Sequence, residues 1–126
     1  MQSSIYTQPP LFEQVCVIGL GLIGASLAQA IKDLGLSARL VAVDRHAPSI
    51  DEAMEYGLLD AGSAVLSEVV SGSDLIIIAV PVQAVKAVFV DIKTAMDNGQ
   101  LAADCLITDV CSTKVNIIEA AKAVFS

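Results

Sequence analysis

The sequence predicts a doubly wound α/β fold, a parallel sheet of about five strands with helices on both faces. Three observations predict it. Short apolar runs alternate with stretches of helical spacing along all 126 residues. A glycine-punctuated turn joins the first apolar run to the first helical stretch. The apolar fraction, 55%, is what a sheet covered on both faces demands.

The organising stretch runs from Val15 to Leu27 and reads as strand, glycine turn and helix start. Gly19, Gly21 and Gly24 stand in G-x-G-x-x-G spacing. Gly19 permits the tight turn out of the strand, Gly21 lets a pyrophosphate approach the backbone, and Gly24 lets the helix pack closely on the sheet. The free N–H groups of the first helical turn, with Leu22 and Ile23 in it, then point at phosphate oxygens. The helix is predicted over 22–34, with Ile23, Leu27, Ile31 and Leu34 inward and Gly35 as its stop. A second strand, Arg39 to Val43, ends on Asp44, 20 residues beyond Gly24. A carboxylate there takes the ribose hydroxyls of an adenosine, the mark of a Rossmann-type dinucleotide site.

Further along, Pro48 opens a short helix to Tyr56, closed by Gly57. A short third strand is expected within 62–65 and a helical turn or two within 66–70. Asp74 to Val80 reads as a central strand, continuously apolar and stopped by Pro81. Helical spacing returns over 82–96, with Val85, Val88, Phe89, Ile92, Ala95 and Met96 on one face. Cys105 to Val110 is a fifth strand, and a last helix is expected from Thr113 to Phe125. Residues 1–13 read as a flexible arm and 14–126 as one dinucleotide-binding domain.

Composition removes several classes. The net charge of −7 opposes nucleic acid and anionic membrane surfaces. Mean hydropathy is high, +0.70. The longest uncharged stretch, Gln14 to Ile31, nevertheless carries three glycines and changes period midway, so it is not a membrane span. The first ten residues lack the pattern of a signal peptide. Cys16, Cys105 and Cys111 show no metal spacing; the first two read as small buried apolar residues, and a reducing cytoplasm is the simplest setting.

A doubly wound sheet holds its ligand over the carboxyl ends of its strands, where the strand order reverses. That edge collects Gly19 to Gly24, Asp44, Val80-Pro81 and Asp109 to Ser112. Asp44 favours NAD, because a 2′-phosphate would meet its negative charge. Arg45 can hold a 2′-phosphate or stack on adenine, and with His46 it can equally be a solvated turn residue, so NADP stays open. His46, the single histidine, falls at the adenosine end, away from a nicotinamide, and is a poor catalytic base there. Val80 and Pro81 lie where the nicotinamide half passes. Ser112 and Thr113 suit a helix N-cap. Ser112 with Lys114 and Cys111 also emerges beside the nicotinamide, where a serine orients a substrate or a base.

Taken together, Gly19 to Leu27, the strand ending at Asp44, Ala79-Val80-Pro81-Val82 and Asp109-Val110-Cys111-Ser112-Thr113-Lys114 resemble the amino-terminal domain of the prephenate/arogenate dehydrogenase family. The resemblance covers roughly 14–125. It implies oxidative decarboxylation of prephenate or arogenate, on the route to tyrosine, with hydride passing to the nicotinamide of NAD or NADP. Ser112 matches the family's serine that hydrogen-bonds the catalytic histidine and the substrate hydroxyl. That histidine, some twenty residues further on in the family, and the helical domain that supplies substrate arginines and a homodimer interface have no counterpart in these 126 residues. The chain therefore reads as the cofactor-binding portion of a longer enzyme, inactive alone. Two other readings remain at this stage: a related dehydrogenase acting on hydroxy acids, imines or acyl-CoA, and a regulatory module that binds NAD(H) without chemistry. A methyltransferase fits the strict glycine spacing less well.

Overall fold

The structure, a computed structural model, describes residues 9–110 and Val124. Five strands form one parallel sheet: β1 (Phe12–Ile18), β2 (Ser37–Val43), β3 (Ala61–Ser63), β4 (Leu75–Ile78) and β5 (Leu106–Asp109). Their order is β3-β2-β1-β4-β5. The chain winds outward from β1 through β2 to β3, then returns to the other side of β1 for β4 and β5. The order thus reverses between β1 and β4. Helix α1 (Leu22–Leu34) joins β1 to β2, α2 (Ala47–Glu55) joins β2 to β3, and α3 (Val85–Asp97) joins β4 to β5.

Register sorts the side chains into two layers. Cys16 pairs with Val41 and with Ile76, and Ile76 with Ile107, so these four share one face. Together with Ile18, Val43 and Ile78 they pack against Val85, Phe89, Ile92 and Ala95 of α3 and against Leu66. The alternate residues Val15, Val17, Leu40, Ala42 and Ile77 face the other way, onto Ala28 and Ile31 of α1 and Ile50 and Ala53 of α2. The central strands β1, β2 and β4 therefore bury both faces over most of their length, which is why these segments read as unbroken apolar runs, whereas the edge strand β5 leaves Leu106 exposed.

Several element ends differ from the sequence reading. β1 begins at Phe12, because the Asp74 carboxylate accepts hydrogen bonds from the amides of Glu13 and Gln14, both at 3.0 Å. That adds side-chain acceptors where the sheet ladder runs out. β4 stops at Ile78, two residues short of Val80. The helix after Pro81 opens with one 3-10 turn, Val82–Ala84, before α3 proper. The segment after β3 forms a single 3-10 turn, Leu66–Glu68. Cys105 lies just ahead of β5 and is only half-buried, whereas Cys16 is wholly buried. The helix expected over 113–125 lies outside the described residues apart from Val124, which packs against the α3-side layer.

The inward face of α1 is the main correction. Gly24, Ala28 and Ile31 are buried, while Ile23 is 57% exposed and Leu34 70% exposed. The reason is steric. A Cβ at Gly24 would lie 1.8 Å from the carbonyl oxygen of Gly19 and 3.3 Å from the Cβ of Ala79. The helix sits so close to the turn that its contact stripe opens with the small residues Gly24 and Ala28 before reaching Ile31, and the large ones at 22, 23 and 34 face outward. Gly35 ends the helix as expected, with φ of 64° and its amide donating to the carbonyls of Ile31 and Lys32.

At the amino edge of the sheet one buried polar side chain organises the loop before β4. The Gln14 amide nitrogen donates to the carbonyls of Val69 and Ser71 and to Ser73 Oγ, at 3.3, 3.1 and 2.7 Å. Its Oε1 accepts from Arg39 Nε at 3.1 Å. Gln14 is 7% exposed, so these partners replace the water it has lost.

Two outcomes follow from this packing. Gly24→Ala forces α1 off the turn and lowers unfolding stability by about 3 kcal/mol, read as an earlier urea midpoint. Burial, and secondarily the nearby Cys105, pushes the Cys16 thiol from 9.0 up to about 12. The folded chain keeps a proton that the unfolded chain loses above pH 9, so this contribution is complete below pH 9 and is lost as the pH rises toward 12. The slope is about 1.4 kcal/mol per pH unit. Cys16→Ala removes that increment of slope from a pH series of denaturation curves.

Candidate functional site

The site is built where β1 leaves the sheet. Gly19 has φ of +101°, a conformation open to glycine, and a Cβ there would meet the Ala79 carbonyl oxygen at 2.7 Å. Its amide donates to the Val43 carbonyl at 2.8 Å, and the Ala79 amide donates to the Ile18 carbonyl at 2.8 Å. The turn is therefore tied to the strand on each side of it. Gly21 follows as the N-cap of α1, in extended conformation and without a side-chain cap. A Cβ at Gly21 would meet nothing within 4 Å. The first amides of α1 thus open toward free space, with no acidic residue in the first turn to quench them.

Asp44 leaves the end of β2 and its carboxylate spans two backbone donors. The Leu20 amide donates to Oδ2 at 2.7 Å and the His46 amide to Oδ1 at 2.8 Å. The Asp44 amide itself donates to the Ser63 carbonyl at 3.1 Å. A half-buried carboxylate is thereby fixed beside the glycine turn, with lone pairs left for a further donor. His46 turns the other way: its Nδ1 lies 2.9 Å from Ser49 Oγ in the first turn of α2.

A cleft of about 1200 Å³ opens over this corner. That exceeds the roughly 300–1,000 Å³ of pockets that hold drug-sized ligands. Of the residues the sequence singled out, Gly19, Gly21, Leu22, Ile23, Asp44, Arg45, Val80 and Pro81 all line it. Gly24 and Asp109 do not. Gly24 lies beneath the turn, and Asp109 ends β5 paired with Ile78. Val110, whose amide donates to the Ile78 carbonyl at 3.0 Å, reaches the cleft instead. Ser112, with Cys111 and Lys114, lies outside the described residues.

The sequence reading missed one wall. Ala64 to Ser67, after β3, and Ala84, Ala87 and Val88 of the helical segment after β4 also line the cleft, with Gln83, Asp91 and Gln100 among its polar lining. Ala84 and Ala87 were legible as small residues beside the inward stripe of α3, but which face they open was not. Among the described residues no group of three or more His, Cys, Asp or Glu is placed to hold a metal, and no helix is long and apolar enough to cross a membrane.

A five-stranded parallel sheet, an order reversal at β1, a bare glycine corner and an acid at the end of β2 define a Rossmann-type nucleotide-binding domain. The family model described as "Prephenate dehydrogenase, nucleotide-binding domain" matches residues 27–126. The chain belongs to that family. It is 34% identical over 117 residues to a prephenate dehydrogenase of Lactococcus lactis subsp. cremoris, covering 90% of this chain and 30% of that protein. It is 31% identical over 109 residues to a cyclohexadienyl dehydrogenase of Zymomonas mobilis, covering 86% of this chain and 36% of the relative. The fold superimposes with a TM-score of 0.78, at 21% identity, on the crystal structure of a prephenate dehydrogenase from A. aeolicus in complex with hydroxyphenyl propionate and NAD+, covering 90% of this chain and 38% of that one. The chain thus spans about a third of the length of these relatives.

Proposed function

We propose that this chain is the NAD-binding domain of a prephenate dehydrogenase-type enzyme, and that the corner at Gly19 to Ile23 holds the cofactor's diphosphate while Asp44 takes the adenosine ribose. The observation that carries this reading is the juxtaposition of the unfilled Gly21 corner with the Asp44 carboxylate, 2.7 Å from the Leu20 amide. The residues fit the group. Open space at Gly21 admits phosphate oxygens, uncapped helix amides face them, and the carboxylate keeps acceptor capacity for ribose hydroxyls. Val80 and Pro81, on the cleft wall beyond the reversal point, flank the nicotinamide half.

NAD supplies a hydride acceptor when bound. The substrate in this reading is prephenate or its amino analogue arogenate, whose ring carbon bearing the hydroxyl gives up hydride as carbon dioxide leaves. That is a step toward tyrosine in a homodimeric cytoplasmic enzyme. Support comes from the family match and from relatives named as prephenate and cyclohexadienyl dehydrogenases. Asp109 leads β5 toward Ser112, to which the family resemblance assigns the orienting of substrate and base. His46, the single histidine of these 126 residues, is bonded to Ser49 and does not line the cleft, so no histidine of this chain serves as the base at the nicotinamide end. The 126-residue chain therefore binds the dinucleotide without turning substrate over.

Calorimetric titration of NAD and NADP into wild type, Gly21→Ser and Asp44→Ala tests the binding site. Serine keeps a good N-cap but fills the corner, so NAD affinity falls about tenfold or more while the melting temperature holds. Asp44→Ala weakens NAD more than NADP; equal losses remove the carboxylate from the ribose. Absorbance at the reduced-nicotinamide band, followed with prephenate and NAD present, stays flat for this polypeptide, and a steady rise overturns the assignment of the base to another part of the enzyme.

A further inference from the structure

The peptide between Gly19 and Leu20 is held at both ends. Its carbonyl oxygen lies under α1, where a Cβ on Gly24 would come within 1.8 Å of it. Its N–H donates to Asp44 Oδ2 at 2.7 Å, across 24 residues of sequence. Leu20 stands between two glycines, and glycine has the widest conformational range of any residue. The carboxylate is itself restrained, because the His46 amide holds Oδ1 at 2.8 Å and the Asp44 amide is bonded to Ser63 at 3.1 Å. β3, β2 and the glycine corner are thus linked in series through one residue, by its main-chain amide on one side and its carboxylate on the other.

We propose that Asp44 is a positioning residue for the diphosphate corner as well as an acceptor for ribose, an inference that rests on the dinucleotide reading above. By fixing the plane of the Gly19–Leu20 peptide it sets the direction in which the amides of Gly21 and the first turn of α1 point. Charge alone argues the opposite way. An anion beside an anion-binding corner repels its ligand, so its removal should tighten diphosphate binding. The two effects differ in sign and can be separated.

Inorganic pyrophosphate, which has no ribose, is the probe, titrated by phosphorus NMR into the 126-residue chain and its D44A and D44N variants. Positioning predicts that D44A loses about tenfold in pyrophosphate affinity, as expected for a lost hydrogen bond to a charged group. D44N can keep its single oxygen toward Leu20, with its NH2 then facing the His46 amide, so it holds the Leu20 peptide better than D44A and binds pyrophosphate more tightly than D44A does. Amide exchange of Leu20, read without ligand, accelerates about tenfold or more in D44A and less in D44N. Tighter or unchanged pyrophosphate binding in D44A, or an unchanged Leu20 exchange rate, overturns the proposal. If D44A fails to fold, D44N decides alone: positioning predicts that faster Leu20 exchange there comes with weaker pyrophosphate binding, and faster Leu20 exchange with tighter pyrophosphate binding overturns the proposal. A wild-type chain that binds neither NAD nor pyrophosphate brings down the dinucleotide reading, while the Leu20 exchange rates still judge the positioning role.

Discussion

Helix α1 rests on a carbonyl oxygen. The contact between Gly24 and the Gly19 carbonyl leaves no room for a single methyl group, and the rest of the domain is arranged around that approach. It sets the inclination of α1 on the sheet, selects Ala28 and Ile31 as the buried stripe, and turns Leu22 and Ile23 out toward the cleft. The same closeness leaves the amino end of the helix directly over the carboxyl end of β1. An uncapped helix terminus in that position offers amides and a partial positive charge where the strand order reverses.

Aspartate carboxylates recur as acceptors for strand and turn amides that the sheet ladder does not serve. Asp74 holds the amides of Glu13 and Gln14, and Asp60 holds the Leu40 amide at 2.7 Å. Both lie toward the amino edge of the sheet. Asp44 does the same at the opposite edge, where its neighbours open onto a cleft. Identical chemistry thus closes one edge and furnishes the other. What distinguishes Asp44 is the space beside it rather than the bonds it makes.

The chain has 14 acidic against 7 basic residues, so it carries no general attraction for anions. Binding of a diphosphate in such a chain depends on local fields: oriented backbone dipoles, with Arg45 at the cleft wall. A backbone site of this kind works only while its geometry is held, because peptide groups have no net charge to tolerate misdirection. That places unusual weight on the restraints around residues 19–21.

Much of this was readable from residue order. β-branched runs, glycine spacing and an acid after the second strand determined the parallel sheet, the helix boundaries of α1 and eight of the cleft residues, because each depends on local chemistry: the missing Cβ, the 3.6-residue period, the short apolar strand. Tertiary structure decided the remainder. Hydrophobic periodicity placed Ile23 and Leu34 inside α1, yet the sheet accepted Gly24 and Ala28, since backbone proximity outranked side-chain size. Neither the wall at Ala64 to Ser67 nor the bond from Leu20 to Asp44 has a signature in the sequence. Both join segments remote along the chain, and only the packed sheet brings a carboxylate on one strand within 2.7 Å of an amide on the turn from another.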